Sequence, residues 1–302
     1  MNIACIEAGQ TKTDICLFND RHEIICRQQY NPIIHPAKPG GLDSYRAIVN
    51  ELCKLLKSIH SDDILSICFS LSGYHGENEK IPNLIKDILK ANEITPLCLN
   101  VVPDYVSNWF SATNGEPGII IISGGGTVVY GQNHDGTPYR LGGWGHILGD
   151  EGSGYWIGLE ALKASLKLNA GLINQKSKLE LSIRNFLNYS NEFELISLVT
   201  SGELSDKQIA QLVPIVSNLA EQGDQVSLEI LDRAAEHLFN DLLVAITNLG
   251  DLPIYLCGGV FNSKIISDQL KERMRNHGFK NTVKNAQIDP LNGAFYIARL
   301  AI

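Results

Sequence analysis

The segment Asn114-Gly115-Glu116-Pro117-Gly118-Ile119-Ile120-Ile121-Ile122-Ser123-Gly124-Gly125-Gly126-Thr127 runs from turn formers through an apolar stretch into three glycines and a threonine. A short apolar run bounded by turn residues reads as a buried strand, here Gly118–Ile122. Upstream, the patterning predicts strands at Asn2–Glu7, Thr13–Phe18 and Glu23–Arg27, with Asn19-Asp20 turning between the last two. Leu42–Ile59 carries apolar residues at helical spacing and ends in the polar His60–Asp63, and Ile64–Leu71 has the length of a buried strand. A helix over Pro82–Ala91, a strand over Leu97–Val102 and a helix over Tyr105–Ala112 complete the order β-β-β-α-β-α-β-α. At Gly118 that order starts again.

In the second half, Thr127–Gly131 and Tyr139–Leu141 read as the next strands, separated by the polar Gln132–Pro138. A long helical stretch, Ser153–Leu249, is broken by loops at Ala170–Gln175 and Ser201–Asp206. A strand at Ile254–Cys257, a helix at Ile265–Asn276, a strand at Thr282–Lys284 and a closing helix at Pro290–Leu300 follow. The pattern predicts two copies of one mixed α/β unit, residues 1–113 and 114–302, the second enlarged by inserted helices, with packing of the last helix back on the first as the alternative for that segment. One large sheet with coincidental hairpins is the competing architecture. Twin α/β lobes make a cleft, and ligands usually bind in such clefts.

The bulk properties fit this division. A chain of 302 residues exceeds the usual single domain, and 44% hydrophobic with 19% charged residues suffices for sizeable cores. Acidic residues outnumber basic ones, 33 to 25, for a net charge of −8, and no dense Lys/Arg cluster appears. Nucleic acid is therefore not an expected partner. Met1–Lys12 lacks a cationic start leading into an apolar core, so no secretory signal is expected. No apolar window is long enough to span a membrane. The seven cysteines are odd in number, lack a CxxC pair and sit mostly in apolar runs. They read as reduced, buried thiols of a cytoplasmic protein.

Five stretches carry residue types suited to phosphate and polyol chemistry. Glu7-Ala8-Gly9-Gln10-Thr11-Lys12-Thr13 joins the first two strands. Gly9 permits close backbone approach, Thr11 and Thr13 offer hydroxyls, and Glu7 can hold Mg²⁺ through water. An ordinary hairpin turn with a solvated Lys12 is the alternative. Ser123-Gly124-Gly125-Gly126-Thr127 takes the same hairpin position in the second half and exposes amides suited to an anion. Asp104, after the buried Leu99–Val102, is either the N-cap of the next helix or a carboxylate placed to accept a proton from a substrate hydroxyl. Leu141–Trp156 holds six glycines among sixteen residues, interleaved with aromatics and acids. It suits a hydroxylated ligand, or else is a capped helix start with Asp150 or Ser153 as the cap. Tyr255-Leu256-Cys257-Gly258-Gly259-Val260-Phe261-Asn262-Ser263 is a strand, a bare turn and a helix start, where backbone can lie against a nucleoside.

Gly142-Gly143-Trp144-Gly145-His146-Ile147-Leu148-Gly149-Asp150-Glu151-Gly152-Ser153, followed by Tyr155-Trp156, resembles the diagnostic segment of the N-acetylglucosamine kinase family. That family belongs to the sugar-kinase branch of the actin/hexokinase-type ATPase superfamily and is related to the BadF/BadG/BcrA/BcrD-type ATPases. The resemblance covers the whole chain. It implies a duplicated actin-like, ribonuclease H-like α/β fold with two lobes around a central cleft, ATP and Mg²⁺ as cofactors, an amino-sugar substrate and a homodimer. By the same resemblance Asp104 is the catalytic base, and Glu7 stands at the metal position where most members carry Asp. ATP contacts would come from Gly9, Thr11, Lys12, Thr13, Gly124, Gly125, Gly126, Thr127, Ala220, Gly258, Gly259 and Asn262. Sugar contacts would come from Asn31, Ser72, Gly73, Asp104, Thr127, Gly143, Trp144, Gly145 and Asp150. Ala8 and Gln10 stand where the first phosphate motif usually has glycines, and Gly125 where the second usually has Thr.

The implied reaction is phosphoryl transfer from MgATP to the 6-hydroxyl of an amino sugar, N-acetylglucosamine first, with glucosamine, N-acetylmuramate and N-acetylmannosamine as alternatives. Two rivals come from other classes. An activator ATPase would hold an iron–sulfur cluster on cysteines after the second phosphate motif, and this chain has none between Cys98 and Cys257. A non-catalytic sugar sensor would bind sugar without turning over ATP.

Overall fold

The computed structural model describes residues 2–9, 11–58, 64–76, 79–280, 282–286 and 288–300. Gln10 and the 59–63 segment, with its expected helix end, lie outside the described residues. In the first unit, side chains alternate between two covered faces along β1 (Asn2–Ala8) and β2 (Thr13–Asn19), and β3 (Ile24–Tyr30) adds a more exposed edge. Helix α1 (Gly41–Ser58) buries Tyr45, Ile48, Val49, Leu52, Leu55 and Leu56, the one-sided stripe of an amphipathic helix. β4 (Ile64–Leu71), α2 (Lys80–Ala91), β5 (Cys98–Pro103) and α3 (Asp104–Thr113) follow. α3 begins at Asp104 itself, and the N-cap is the extended Pro103, so Asp104 is not the cap. Asn114, left-handed at φ 56°, ends the helix.

The second unit repeats the hairpin start with β6 (Gly118–Ser123), β7 (Thr127–Gln132) and β8 (Pro138–Gly142). Its inserted helices are α4 (Gly154–Asn169), α5 (Leu179–Leu187), α6 (Glu192–Thr200), α7 (Asp206–Ala210), α8 (Val213–Glu221) and α9 (Gln225–Leu249). The long helical stretch is thus cut more often than its two expected loops allow. Asn188 takes φ 54° after α5, Asn191 caps α6, and Asp224 caps α9 through its carboxylate. β9 (Ile254–Cys257), a short 3₁₀ turn at Gly259–Asn262, α10 (Lys264–Asn276) and β10 (Val283–Asn285) close this unit. The final helix, α11 (Pro290–Leu300), packs on α3 and β1 of the first unit.

Both sheets have five strands and one topology. The first runs β3-β2-β1-β4-β5 and the second β8-β7-β6-β9-β10. In each, the opening three strands are antiparallel, the fourth runs parallel to the first, and the fifth runs parallel to the fourth. Contacts divide the chain into Met1–Glu116 with Gln287–Ile302, and Pro117–Ala286. In the first unit, Ala4, Ile6, Ala8, Ile15 and Leu17 pack under α1 and α2, while Ile3, Cys5, Cys16, Phe18 and Cys68 pack under α11. Gly293 lets α11 close on α3, because a Cβ there would lie 1.8 Å from the Ser107 carbonyl oxygen.

Candidate functional site

Strand alternation puts Glu7, Asp14 and Ser70 in one row across β1, β2 and β4. The hairpin between β1 and β2 is tight: the Gly9 N–H donates to the Lys12 carbonyl at 2.9 Å, and Lys12 Nζ lies 2.5 Å from Asp14 Oδ2. Thr11 is exposed, whereas Thr13 is buried and its hydroxyl makes no hydrogen bond among the described residues. Asp104 opens α3 beyond β5 and lies near enough to Glu7 for the two charges to repel. Burial, and then the Asp104 charge, push the Glu7 carboxyl up to about 7 against the opposing pull of Lys12. Ser107 of α3 hydrogen-bonds the Asp104 carbonyl at 2.9 Å and the Ser70 hydroxyl at 2.6 Å, which fixes that first turn to the sheet.

Other expected residues of the first unit gather at the same strand ends. The Ser72 N–H donates to the Ala8 carbonyl at 2.9 Å, and the Tyr45 hydroxyl to the Ser72 carbonyl at 2.8 Å. Gly73 takes φ 73° against the His35 ring, where a Cβ would meet Cδ2 at 2.7 Å. Asn31 is exposed just past β3, and two residues later the Ile33 N–H donates to the Gly9 carbonyl at 3.0 Å.

In the second unit the glycine turn after β6 is the centre. A Cβ on Gly124 or Gly125 would meet nothing within 4 Å, so their backbone borders open space. Gly126 lies against Asp150, where a Cβ would sit 2.7 Å from Oδ2. The Thr127 N–H donates to Asp150 Oδ1 at 3.2 Å, and the Gly143 N–H to the Thr127 carbonyl at 2.8 Å. Gly126, Thr127, Gly143 and Asp150 are therefore one cluster. Burial raises the Asp150 pKa, opposed by the Thr127 amide. Arg140 donates to the carbonyls of Gly142 and Gly143 at 2.8 and 3.2 Å, bracing the loop that carries the half-exposed Trp144 and the open Gly145. Of the two cap candidates, Ser153 caps α4 by accepting from the Trp156 N–H at 3.2 Å. His146 lies 3.6 Å from Asp206 and beside the Tyr155 ring.

Gly258 is pressed onto the end of β6: φ is 100°, and a Cβ would lie 2.3 Å from the Ser123 carbonyl oxygen. That contact sets Gly258 and Gly259 beside the Ser123–Thr127 turn, with Asn262 closing the 3₁₀ turn that follows. Ala220 is buried on α8, which packs on α4, α5 and α9. Three residues here escaped the sequence reading. Ser263, buried before α10, has a hydroxyl with no hydrogen bond among the described residues. Asp14 pairs with Lys12 and Arg27, and Arg140 holds the Gly142 and Gly143 carbonyls; neither lies in a motif that would single it out.

Two copies of one β-β-β-α-β-α-β unit, each with a threonine-bearing glycine turn after its first strand, define the duplicated actin-like ATPase fold. The chain belongs to the BadF/BadG/BcrA/BcrD ATPase family, whose model matches residues 6–298. It is 30% identical over 311 aligned positions, 97% of this chain and 96% of the relative, to an N-acetyl-D-glucosamine kinase of Dictyostelium discoideum. It is 32% identical to an N-acetylmuramic acid/N-acetylglucosamine kinase of Clostridium acetobutylicum, covering 83% of this chain and 82% of the relative. A solved Chromobacterium violaceum structure with the provisional name N-acetylglucosamine kinase superposes with a TM-score of 0.75 at 22% identity, over 98% of both chains.

Proposed function

We propose that the chain transfers the γ-phosphoryl group of ATP to the 6-hydroxyl of N-acetylglucosamine. The observation that carries this is the register Ala8–Leu71–Pro103 across β1, β4 and β5, which brings Glu7 and Asp104 to one end of the sheet, in a chain whose relatives bear that enzyme name. Asp104 accepts the proton of the sugar hydroxyl while a new oxygen–phosphorus bond forms and the bond to the departing ADP oxygen breaks. The proton then passes to solvent. Such a transfer asks mainly for positioning and charge stabilisation.

The phosphates are assigned to Gly9, Thr11, Lys12 and Thr13 and to the turn Gly124, Gly125, Gly126, Thr127. The Thr13 and Thr127 hydroxyls, unpartnered among the described residues, support this, since a buried hydroxyl is costly to leave unsatisfied. Among the described residues no three His, Cys, Asp or Glu side chains cluster as a metal cage. Mg²⁺ keeps several waters and binds through one or two carboxylates plus phosphate oxygens. Glu7 is the residue assigned to hold it, and the ion would neutralise phosphate charge. The nucleoside is assigned to Ala220, Gly258, Gly259 and Asn262, with Ser263 added from its unpartnered hydroxyl. The sugar is assigned to Asn31, Ser72, Gly73, Gly143, Trp144, Gly145, Thr127 and Asp150.

The Clostridium acetobutylicum relative's name favours a second reading, in which N-acetylmuramic acid is also a substrate. A cytoplasmic location and a homodimer belong to the same proposal, the latter checked by sedimentation. The decisive assay measures ADP release from MgATP with N-acetylglucosamine, N-acetylmuramate, glucosamine, N-acetylmannosamine, glucose and no sugar. Turnover dependent on N-acetylglucosamine is the expected result. Silence with every sugar, or ATP hydrolysis indifferent to sugar, sinks the reading.

A further inference from the structure

Asp14 is a buried acid that the proposed reaction leaves without a task. It pairs in register with Glu7 across the β1–β2 ladder, and its side chain is only 5% exposed. Its Oδ2 receives Lys12 Nζ at 2.5 Å and an Arg27 guanidinium nitrogen at 3.3 Å. The other Arg27 nitrogen reaches Asp289 at 3.1 Å, and Asp289 in turn accepts the Leu291 N–H at the start of α11. Asp14 is thereby tied through Arg27 to the end of α11, and the same oxygen holds Lys12, whose side chain is 46% exposed.

A carboxylate this far out of water requires paired charge, so the Lys12 ammonium is drawn inward to it. Lys12 also sits within electrostatic reach of Glu7. Resting on Glu7, the ammonium would occupy the acid assigned to the cation. Resting on Asp14, it stands beside the Gly9–Thr13 turn and leaves Glu7 open.

We propose that Asp14 is a positioning residue that holds the Lys12 ammonium beside the Gly9–Thr13 turn, where it meets the phosphates of the nucleotide, and away from the Glu7 carboxylate. This rests on the ATP reading above. Asp14 touches neither substrate; it acts through Lys12.

The test is a double-mutant cycle read by calorimetric titration with ATP, alongside KM values for ATP and for N-acetylglucosamine. Asp14→Asn keeps the volume and removes the charge. It is expected to weaken ATP binding about tenfold, the scale of one charge-assisted contact, and to leave the KM for sugar unchanged. In a Lys12→Met background the same change should add nothing further. An equal loss with or without Lys12 overturns the proposal, because Asp14 would then act on the fold, and so does an Asp14→Asn protein that binds ATP normally. Should Asp14→Asn lose its melting transition, Arg27→Gln takes its place. Removing the structural partner must leave ATP affinity within about twofold while Lys12→Met loses about tenfold, and equal losses overturn the proposal. Wild-type protein that binds no ATP would instead sink the reading beneath it.

Discussion

Two carboxyls at one end of the first sheet make opposite demands. As the proposed base, Asp104 must be ionised to take a proton, and Asp104→Asn is expected to cut turnover by ~10²–10⁴-fold while ATP binding persists. A near-normal rate in that variant removes it from its role. Glu7 is held in a place that favours its neutral form, since its folded pKa of about 7 lies above the 4.5 of the free side chain. A group raised in this way contributes its stability in full below pH 4.5 and loses it as pH rises through 7. In the unliganded protein at pH 8 the ionised Glu7 therefore costs stability, on the order of 3 kcal/mol at most. Glu7→Gln, neutral at every pH, should melt above wild type at pH 8 in EDTA and converge with it toward pH 4.5. A Tm difference that does not change with pH refutes that account. The same variant should lose turnover, which would mark Glu7 as an acid kept for its chemistry at the expense of stability.

At the scale of elements, the adjacent glycines of the β9 turn separate folding from binding. Gly258 takes a φ that L side chains rarely adopt, and its missing Cβ lets β9 close on the Ser123 carbonyl. Gly258→Ala should destabilise the second unit by roughly 1–3 kcal/mol and be read as a lowered melting temperature. Gly259 has no atom within 4 Å of a would-be Cβ, so Gly259→Ala should melt within about 0.5 kcal/mol of wild type yet weaken ADP binding by adding a methyl to the open face. If both variants fold alike and bind alike, the turn is only a connection. The strands themselves were legible because a buried strand is a continuous apolar run: Ile64–Leu71 matches β4 residue for residue. The inserted helices were less so, since Gln222-Gly223-Asp224 ends one helix and caps the next within three residues. A turn that short leaves the apolar period almost unbroken. The glycine turns and Asp104 could be singled out by composition and position. Asp14 and Ser263 could not, because burial and the lack of a partner are properties of the packed chain.

For the molecule as a whole, the duplication leaves an asymmetry besides the inserted helices: the last helix belongs to the unit at the other end of the chain. α11 covers a row of three thiols, Cys5 paired in register with Cys16 on one side and Cys68 on the other. Burial pushes all three well above the ordinary thiol pKa, Cys16 to about 12, so none offers a thiolate in the intact protein. Cys26 and Cys98 are the partly exposed cysteines. A thiol-reactive dye should therefore label at most these two quickly in the full chain. Ending the chain at Ala286 strips the cover from β1, β2 and β4, and three further thiols should become reactive. Phe295→Ala is the gentler version, since losing a fully buried ring costs about 3–5 kcal/mol and should speed labelling at Cys5, Cys16 and Cys68 without removing the helix. Peptide mapping of the labelled sites decides the matter. If those three stay silent in a soluble, shortened chain, the first unit closes over its sheet without α11. If they label, the cover over the sheet that carries Glu7 and Asp14 is supplied by a segment more than 170 residues further along the chain than any other part of that unit.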